Sequence, residues 1–246
     1  EVELQAAHGW LVGEEGRGIP AIIDMVTLTR LDCAVASAGQ MRMALALALH
    51  HTRHRRVFQR RLIDQPLMAR VLADMAVDVG AATAVAFRLA QSFDADPGDE
   101  NETAWRRLMT PVTKYWVCKM APALGYEAME CLGGNGYVEE GLAARLFREL
   151  PLNAIWEGSG NVMCLDVLRV LSREPETAGR VFAQIARGAS GDTRLAAALD
   201  KISSIAADTA QLEANARVLV DLIARTAAAA LLHVNAQSTV SDAFIA

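Results

Sequence analysis

The sequence predicts an all-α fold: an antiparallel helix bundle with a short β remnant at the N-terminus and extra helices at the C-terminus. Three observations carry that expectation. Hydrophobic residues make up 52% of the 246 positions and aromatics only 5%, so the core must be filled by small aliphatic side chains. Apolar residues recur at a helical period through most of the chain. The breaks in that period fall at glycine, proline and acidic clusters, where helices begin and end. A chain of this length can bury a substantial core.

Residues 1–18 are the exception. Glu1-Val-Glu-Leu4 alternates, Gly9-Trp-Leu-Val-Gly13 follows, and glycines break the pattern as far as Gly18, which reads as one or two strand pieces and a turn. After Pro20, the spacing through Ile22, Ile23, Met25, Val26, Leu28 and Leu31, then from Ala34 to Leu49, predicts a long helix. It stops at residues 50–61, where five arginines and three histidines read as a solvated helix C-terminus suited to the negative end of the dipole. A second long helix is expected from Asp64 through Leu89, with Pro66 in its first turn. Asp94 to Asn101 is an acidic loop.

A third helix takes Ala104 to Leu132, kinked or interrupted at Pro111 and Pro122. Three glycines around Asn135 then turn the chain, because glycine costs a helix about 1 kcal/mol against alanine and Asn-Gly favours tight turns. A short helix spans 140–150. The next starts at Asn161 with Ser159 as N-cap and runs to Arg173, where Glu174-Pro175 ends it. Further amphipathic helices are expected over 176–187, 192–209 and 211–233.

Composition narrows the function. A net charge of −5 creates no global field for nucleic acid or an anionic membrane. Lysine occurs only at 114, 119 and 201; the arginine bias fits bidentate phosphate recognition and equally a genome-wide codon preference. Cys33, Cys118, Cys131 and Cys164 lack a CxxC spacing and read as reduced core residues. The histidines at 50, 51, 54 and 233 have no carboxylate or thiol at ligand spacing, so no metal is expected. No apolar run approaches the roughly 18 to 20 residues of a membrane span, and no signal pattern opens the chain. A cytoplasmic location without a membrane partner is the expectation.

Two segments carry chemistry. Glu130-Cys-Leu-Gly-Gly-Asn-Gly-Tyr137 lays backbone bare, and Trp156-Glu157-Gly158-Ser159 sets a carboxylate beside an aromatic ring at a helix mouth. Alone, the first is a loop and the second a solvated N-terminal charge. Together, with Arg145, Arg148 and Glu149 between them, they resemble the C-terminal domain of the acyl-CoA dehydrogenase family, which carries Gly-Gly-x-Gly-Tyr, a short Arg-containing helix and Tyr-Glu-Gly-Thr. Trp156, Ser159 and the run from Gly160 to Arg169 look most like the AidB-like branch, associated with the alkylation-damage response. Residues 9–18 match a Gly-Trp-Leu-x-Gly-x-x-Gly-x-Gly phrase that closes the family's β-domain. The resemblance thus implies a C-terminal fragment in three parts: the tail of a β-domain (1–18), the helical bundle (19–174) and an additional helical extension (175–246).

The resemblance also implies FAD and an acyl-CoA substrate, oxidised at its α,β carbons to the 2,3-enoyl thioester. Glu157 then stands as the base that removes the α-proton, with Arg30 beside it. Thr29 occupies a second family position for the base and cannot serve. An Arg-x-x-Phe-Gly phrase reaches the FAD of a neighbouring subunit in the family; Arg55 and Phe58 match it, with Gln59 in place of Gly. The backbone amides of Gly133 and Gly134 are expected at the diphosphate, with Ser159 and Asn161 completing the cofactor-binding set. Glu130 stands where most members have Gln, and a carboxylate there repels phosphate. The implied partners are acyl-CoA, an electron-acceptor flavoprotein and further copies of the chain, as a dimer or tetramer. The AidB-like branch adds double-stranded DNA, for which Arg169 and Arg173 are the candidates, interspersed with Asp166 and Glu174. Two alternatives accompany this reading: a flavin-bearing DNA-binding protein with weak dehydrogenase activity, and a non-catalytic helical assembly module. The isolated chain is expected to be inactive, because the absent domains supply the other wall of the flavin pocket.

Overall fold

A computed structural model describes residues 2–246, and its frame is three long helices joined by short connections: α1 (Gly18–His54), α2 (Pro66–Asp94) and α3 (Glu100–Leu132). α3 is the centre. Residues 108–118 are buried without interruption, so this helix is covered on every side and needs no amphipathic stripe. It starts four residues before the expected point because the Asp99 carboxylate accepts from the N–H groups of Asn101 and Glu102 at 2.9 and 3.2 Å, capping the first turn. It continues through Pro111 and Pro122; the helices packed around it hold both prolines in place at the cost of their missing donors. It ends at Gly133, whose φ of +61° lets its N–H turn back to the Glu130 carbonyl at 3.0 Å.

The basic segment between α1 and α2 differs from expectation. α1 ends at His54, and the chain then forms a small antiparallel hairpin, β1 (Arg56–Val57) and β2 (Arg60–Arg61), pairing Arg56 with Arg61 and Val57 with Arg60. Phe58 and Gln59 make its two-residue turn. A single 3₁₀ turn, Leu62–Asp64, leads into α2.

Beyond α3 the helices shorten: α4 (Gly134–Tyr137), α5 (Leu142–Glu149), a 3₁₀ turn at Leu152–Ala154, α6 (Gly160–Arg173), α7 (Pro175–Gly188), α8 (Thr193–Ala207), α9 (Ala216–Asn235) and α10 (Ser238–Ile245). α10 has no counterpart in the sequence reading; its Phe244 meets Trp116 edge-on, ring centroids 6.3 Å apart. α6, α7 and α9 all pack on α3, and one continuous apolar core runs through the helices before and after Arg173.

Two expectations are corrected here. Residues 2–17 hold no strand and are exposed throughout. An alternating segment becomes a strand only when a neighbour completes its ladder of hydrogen bonds, and among the described residues none lies beside it. Second, α9 is long and apolar enough to cross a membrane, with a mean hydropathy of 1.4. Its Leu219, Val220, Ile223, Ala224, Ala227 and Ala228 are instead buried within the bundle, against α2, α3 and α8. The four cysteines are buried and unbridged, as expected.

Candidate active site

Glu157 lies in the loop between the 3₁₀ turn and α6. Its φ is +58° and that of Gly158 is +103°. A left-handed conformation costs a residue with a Cβ roughly 1 to 2 kcal/mol, so something must hold Glu157 there. Gly158 has a second reason to be glycine, because a Cβ would lie 2.5 Å from Cε of Met163.

The restraint comes from two cations that reach the loop from the long helices. Lys114, at the middle of the buried stretch of α3 and 1% exposed, donates from Nζ to the carbonyl oxygens of Trp156, at 2.8 Å, and of Gly158. Arg30, on α1, donates from Nε to the carbonyl of Glu157 at 3.0 Å. Three successive carbonyls are thereby taken by two side chains. Arg30 is anchored in turn by Asp166 at 3.0 Å, and Asp166 also pairs with Arg107 at 3.2 Å, which reaches on to Glu174. The network therefore ties α1, α3 and α6 to the loop. Burial pulls the Lys114 ammonium below its ordinary pKa.

Trp156 is fixed separately. Its indole N–H donates to Oδ1 of Asn153 at 3.0 Å, and the Asn153 amide donates to Ser37 at 3.1 Å and Gln40 at 3.3 Å on α1. Between α1 and this loop opens a pocket of about 270 Å³, lined by Thr29, Asp32, Cys33, Ala36, Asn153, Trp156 and Glu157. Burial raises the Cys33 thiol, and raises that of Cys118 behind it to about 11, so both are neutral at physiological pH. The pocket thus brings together two acidic residues, Glu157 and the exposed Asp32, with an indole ring. This constellation suits removal of a proton from a carbon held against the ring.

The remaining expected residues are dispersed. Arg30 does meet Glu157, through the main chain. Ser159 has N-cap geometry, but among the described residues its hydroxyl makes no capping bond. Asn161 is turned away: its Oδ1 accepts from Nε of Arg217 on α9 at 2.8 Å. Gly134 begins α4 in the open, but the Gly133 amide is spent on the end of α3, because a helix terminus must satisfy its last carbonyls. The Glu130 carboxylate accepts from the Tyr126 hydroxyl at 3.0 Å. Arg55 and Phe58 stand at the far end of α1, about 37 Å along the helix axis from Arg30 at 1.5 Å per residue. That is too far for one bound dinucleotide to touch both ends within a single chain. Arg169 and Arg173 are exposed on α6, whereas Arg180, Arg194 and Arg225 are engaged by Glu100, by Asp192 and Asp242, and by Asp221.

Lys114, Asn153 and Asp32 were not singled out in the sequence. Lys114 had a readable signal: it is one of only three lysines and sits among Val112, Val117 and Cys118 in the most apolar part of its helix. A lysine in such a place must find partners that remain when water is excluded.

The family model described as acyl-CoA dehydrogenase, C-terminal domain, matches residues 16–172. The chain belongs to the acyl-CoA dehydrogenase family. It is 52% identical over 174 residues to AidB of Escherichia coli (strain K12), covering 71% of this chain and 32% of that protein. It is 37% identical over 175 residues to acyl-CoA dehydrogenase family member 11 of Caenorhabditis elegans, covering 70% and 28%. The crystal structure of C. elegans ACDH-11 in complex with C11-CoA superposes with a TM-score of 0.87 at 28% identity, over 95% of this chain and 44% of that one. The structural match therefore extends into the helices beyond residue 172. The chain spans about a third of the length of these curated relatives. Family members are FAD-dependent oxidoreductases, which agrees with the family expected from the two sequence segments.

Proposed function

We propose that the full-length protein is an FAD-dependent oxidoreductase that dehydrogenates an acyl-CoA thioester between Cα and Cβ, with Glu157 as the base. The observation that carries this reading is the placement of Glu157: in a restrained left-handed turn, lining a 270 Å³ pocket whose opposite wall is α1. The C11-CoA held by the C. elegans relative supports an acyl thioester as the ligand.

The residues present suit a flavin dinucleotide. Beside the pocket, Trp156 and Ile155 are 50% and 65% exposed, as apolar surfaces that a further layer would cover, and the Ser159 hydroxyl is uncommitted to its helix. At the other end of α1, Phe58 is 92% exposed next to Arg55, a ring and a guanidinium suited to an adenosine diphosphate held by a second subunit. An added Cβ at Gly134 would meet nothing within 4 Å, so backbone can be approached closely there. When bound, FAD supplies the acceptor for the hydride that leaves Cβ. Glu157 accepts the proton that leaves Cα. Trp156 and Ala36 provide apolar wall against the acyl chain and exclude water from the carboxylate. Two partners follow: a homo-oligomer, because Arg55 and Glu157 are too far apart to serve one cofactor, and an electron-acceptor flavoprotein.

The test is Glu157→Gln in full-length, flavin-loaded protein. Acyl-CoA binding should persist while flavin reduction slows by about 10²- to 10⁴-fold, the usual share of a general base. Reduction at the unsubstituted rate would remove Glu157 from the chemistry.

A further inference from the structure

We propose that Lys114 is the positioning residue of this site: by holding the carbonyls on both sides of Glu157 it sets the turn that aims the carboxylate into the pocket. The proposal rests on the reading of Glu157 as the base.

A buried lysine in a helical core has easier ways to satisfy its ammonium, such as a single carboxylate or the open end of a neighbouring helix. Lys114 instead donates to Trp156 O and Gly158 O, two acceptors separated by one residue, and that residue is Glu157. In an extended segment the first and third carbonyls share a side but stand about 6.6 Å apart, at about 3.3 Å per residue, beyond what one ammonium with bonds of about 2.8 Å can reach, and in a right-handed turn the carbonyls point along the axis. A loop with φ of +58° and +103° at 157 and 158 brings the first and third carbonyls to one point. The middle carbonyl is taken from another direction by Arg30. The lysine and the arginine therefore determine both peptide planes that flank Glu157 Cα, and with them the direction of its Cα–Cβ bond.

Other features of the loop agree. Gly158 admits no Cβ against Met163, and a Cβ on Gly160 would lie 3.3 Å from the Tyr115 ring, so the segment lies directly on the residues that flank Lys114 in α3. Among the described residues no carboxylate pairs with Lys114; its titratable neighbours are the thiols of Cys118 and Cys33, Arg30 and Glu157. Its charge is compensated by the loop carbonyls. A lysine that served packing alone would not need both of its bonds on the segment that carries the base.

The test uses Lys114→Met in full-length, flavin-loaded protein, a change that keeps the apolar stem and removes the donors. Flavin reduction should slow by about 10- to 100-fold, the effect of a displaced catalytic group, while the acyl-CoA dissociation constant shifts by less than about threefold. Amide exchange should accelerate in peptides spanning 152–163 and stay unchanged in α2 and α9. If Lys114→Met fails to fold, Lys114→Ala supplemented with propylammonium takes its place, and recovery of the reduction rate on adding the amine upholds the proposal. A rate within twofold of the unsubstituted protein overturns it, as does a rate that falls together with affinity and with bundle-wide loss of exchange protection. An unsubstituted protein that no acyl-CoA reduces overturns the assignment of Glu157 as base. The exchange pattern then decides the clamp alone: loss confined to 152–163 upholds it and no change overturns it.

Discussion

Besides Ala6 in the exposed N-terminal segment, the described residues place non-glycine side chains at positive φ in two turns, and these are held in opposite ways. At Glu157 the conformation is enforced from beneath by Lys114 and Arg30, both anchored on long helices. At Phe58 and Gln59, with φ of +49° and +66°, the hairpin projects from the end of α1. Its side-chain bonds are local and exposed or half-buried: from Arg56 to the Gln59 carbonyl at 3.1 Å, from Gln65 to the Val57 carbonyl at 3.5 Å, and from Arg61 to the Asp64 carboxylate at 2.9 and 3.1 Å. Its strands also set Arg56 opposite Arg61, a like-charge pair that weakens a ladder. The same backbone strain thus has a rigid support in one place and little in the other. The buried turn can hold a side chain to a reacting atom, whereas the exposed one suits a contact completed by another molecule.

If the hairpin is completed by a cofactor in a second subunit, its loss should be felt there and not in the fold. Arg55→Ala in full-length protein should cost about 2 to 5 kcal/mol of FAD binding, the range for truncating one member of a charge pair. The variant should purify largely as apoprotein and melt at the temperature of the unsubstituted apoprotein, since losing a ligand of the folded state by itself lowers the midpoint. Stoichiometric flavin after that substitution would separate the hairpin from the cofactor and break the comparison.

The opposite behaviour is expected at the clamp. Asp166→Ala leaves Arg30 and Arg107 without their shared carboxylate. Removing one partner from a buried ion pair costs about 3 to 5 kcal/mol; here the side chains of Arg30, Asp166 and Arg107 keep 16%, 14% and 34% of their exposure, so about 2 to 3 kcal/mol is expected. Denaturant titration should show a lower midpoint with an unchanged slope. A loss no larger than that of an exposed pair such as Arg70–Asp74 would mean that Arg30 is not anchored through Asp166.

The sequence revealed most of this fold, because helix ends are written in local chemistry. Gly133 ends α3 and Pro175 opens α7 directly after α6, each by a mechanism that acts within a few residues, whereas the Asp99 cap, read as part of an acidic loop, starts α3 four residues before the expected Ala104. The hairpin was not legible, since Arg-Val-Phe-Gln-Arg-Arg contains no Asn-Gly or Asp-Gly to announce a tight turn. Nor was the absence of strand in residues 2–17, because a strand depends on a neighbour that alternation cannot supply. At the candidate site, Glu157 and Arg30 were visible through a motif. Their connection through a main-chain carbonyl, and the lysine 43 positions earlier that completes it, depend on the packing of α3 beneath the loop. Asn161 was misplaced for the same reason: only the position of α9 shows that Arg217 takes its side chain.

The smallest expected effect tests the comparison most directly. A two-residue hairpin turn with both residues left-handed favours Gly at its second position, and Gln59 occupies that position. Gln59→Gly relieves roughly 1 to 2 kcal/mol of backbone strain and pays back about 0.5 to 1 kcal/mol in conformational entropy, leaving a gain of about 0.5 to 1 kcal/mol. The hairpin can open while the bundle stays closed, so the gain should appear as slower amide exchange at Leu62, whose N–H donates to the Arg55 carbonyl across the hairpin. The melting temperature should barely move. The matched substitution is Glu157→Gly, which relieves comparable strain in the buried turn. There the gain should raise global stability, because the loop is packed onto the core, and flavin reduction by acyl-CoA should be lost with the carboxylate. Gln59→Gly should leave that reduction intact. If Glu157→Gly also left it intact, the strain at 157 would serve nothing that the strain at 59 does not. If Gln59→Gly instead abolished flavin binding, the hairpin turn would itself be a restrained site, with its support supplied by the subunit it contacts.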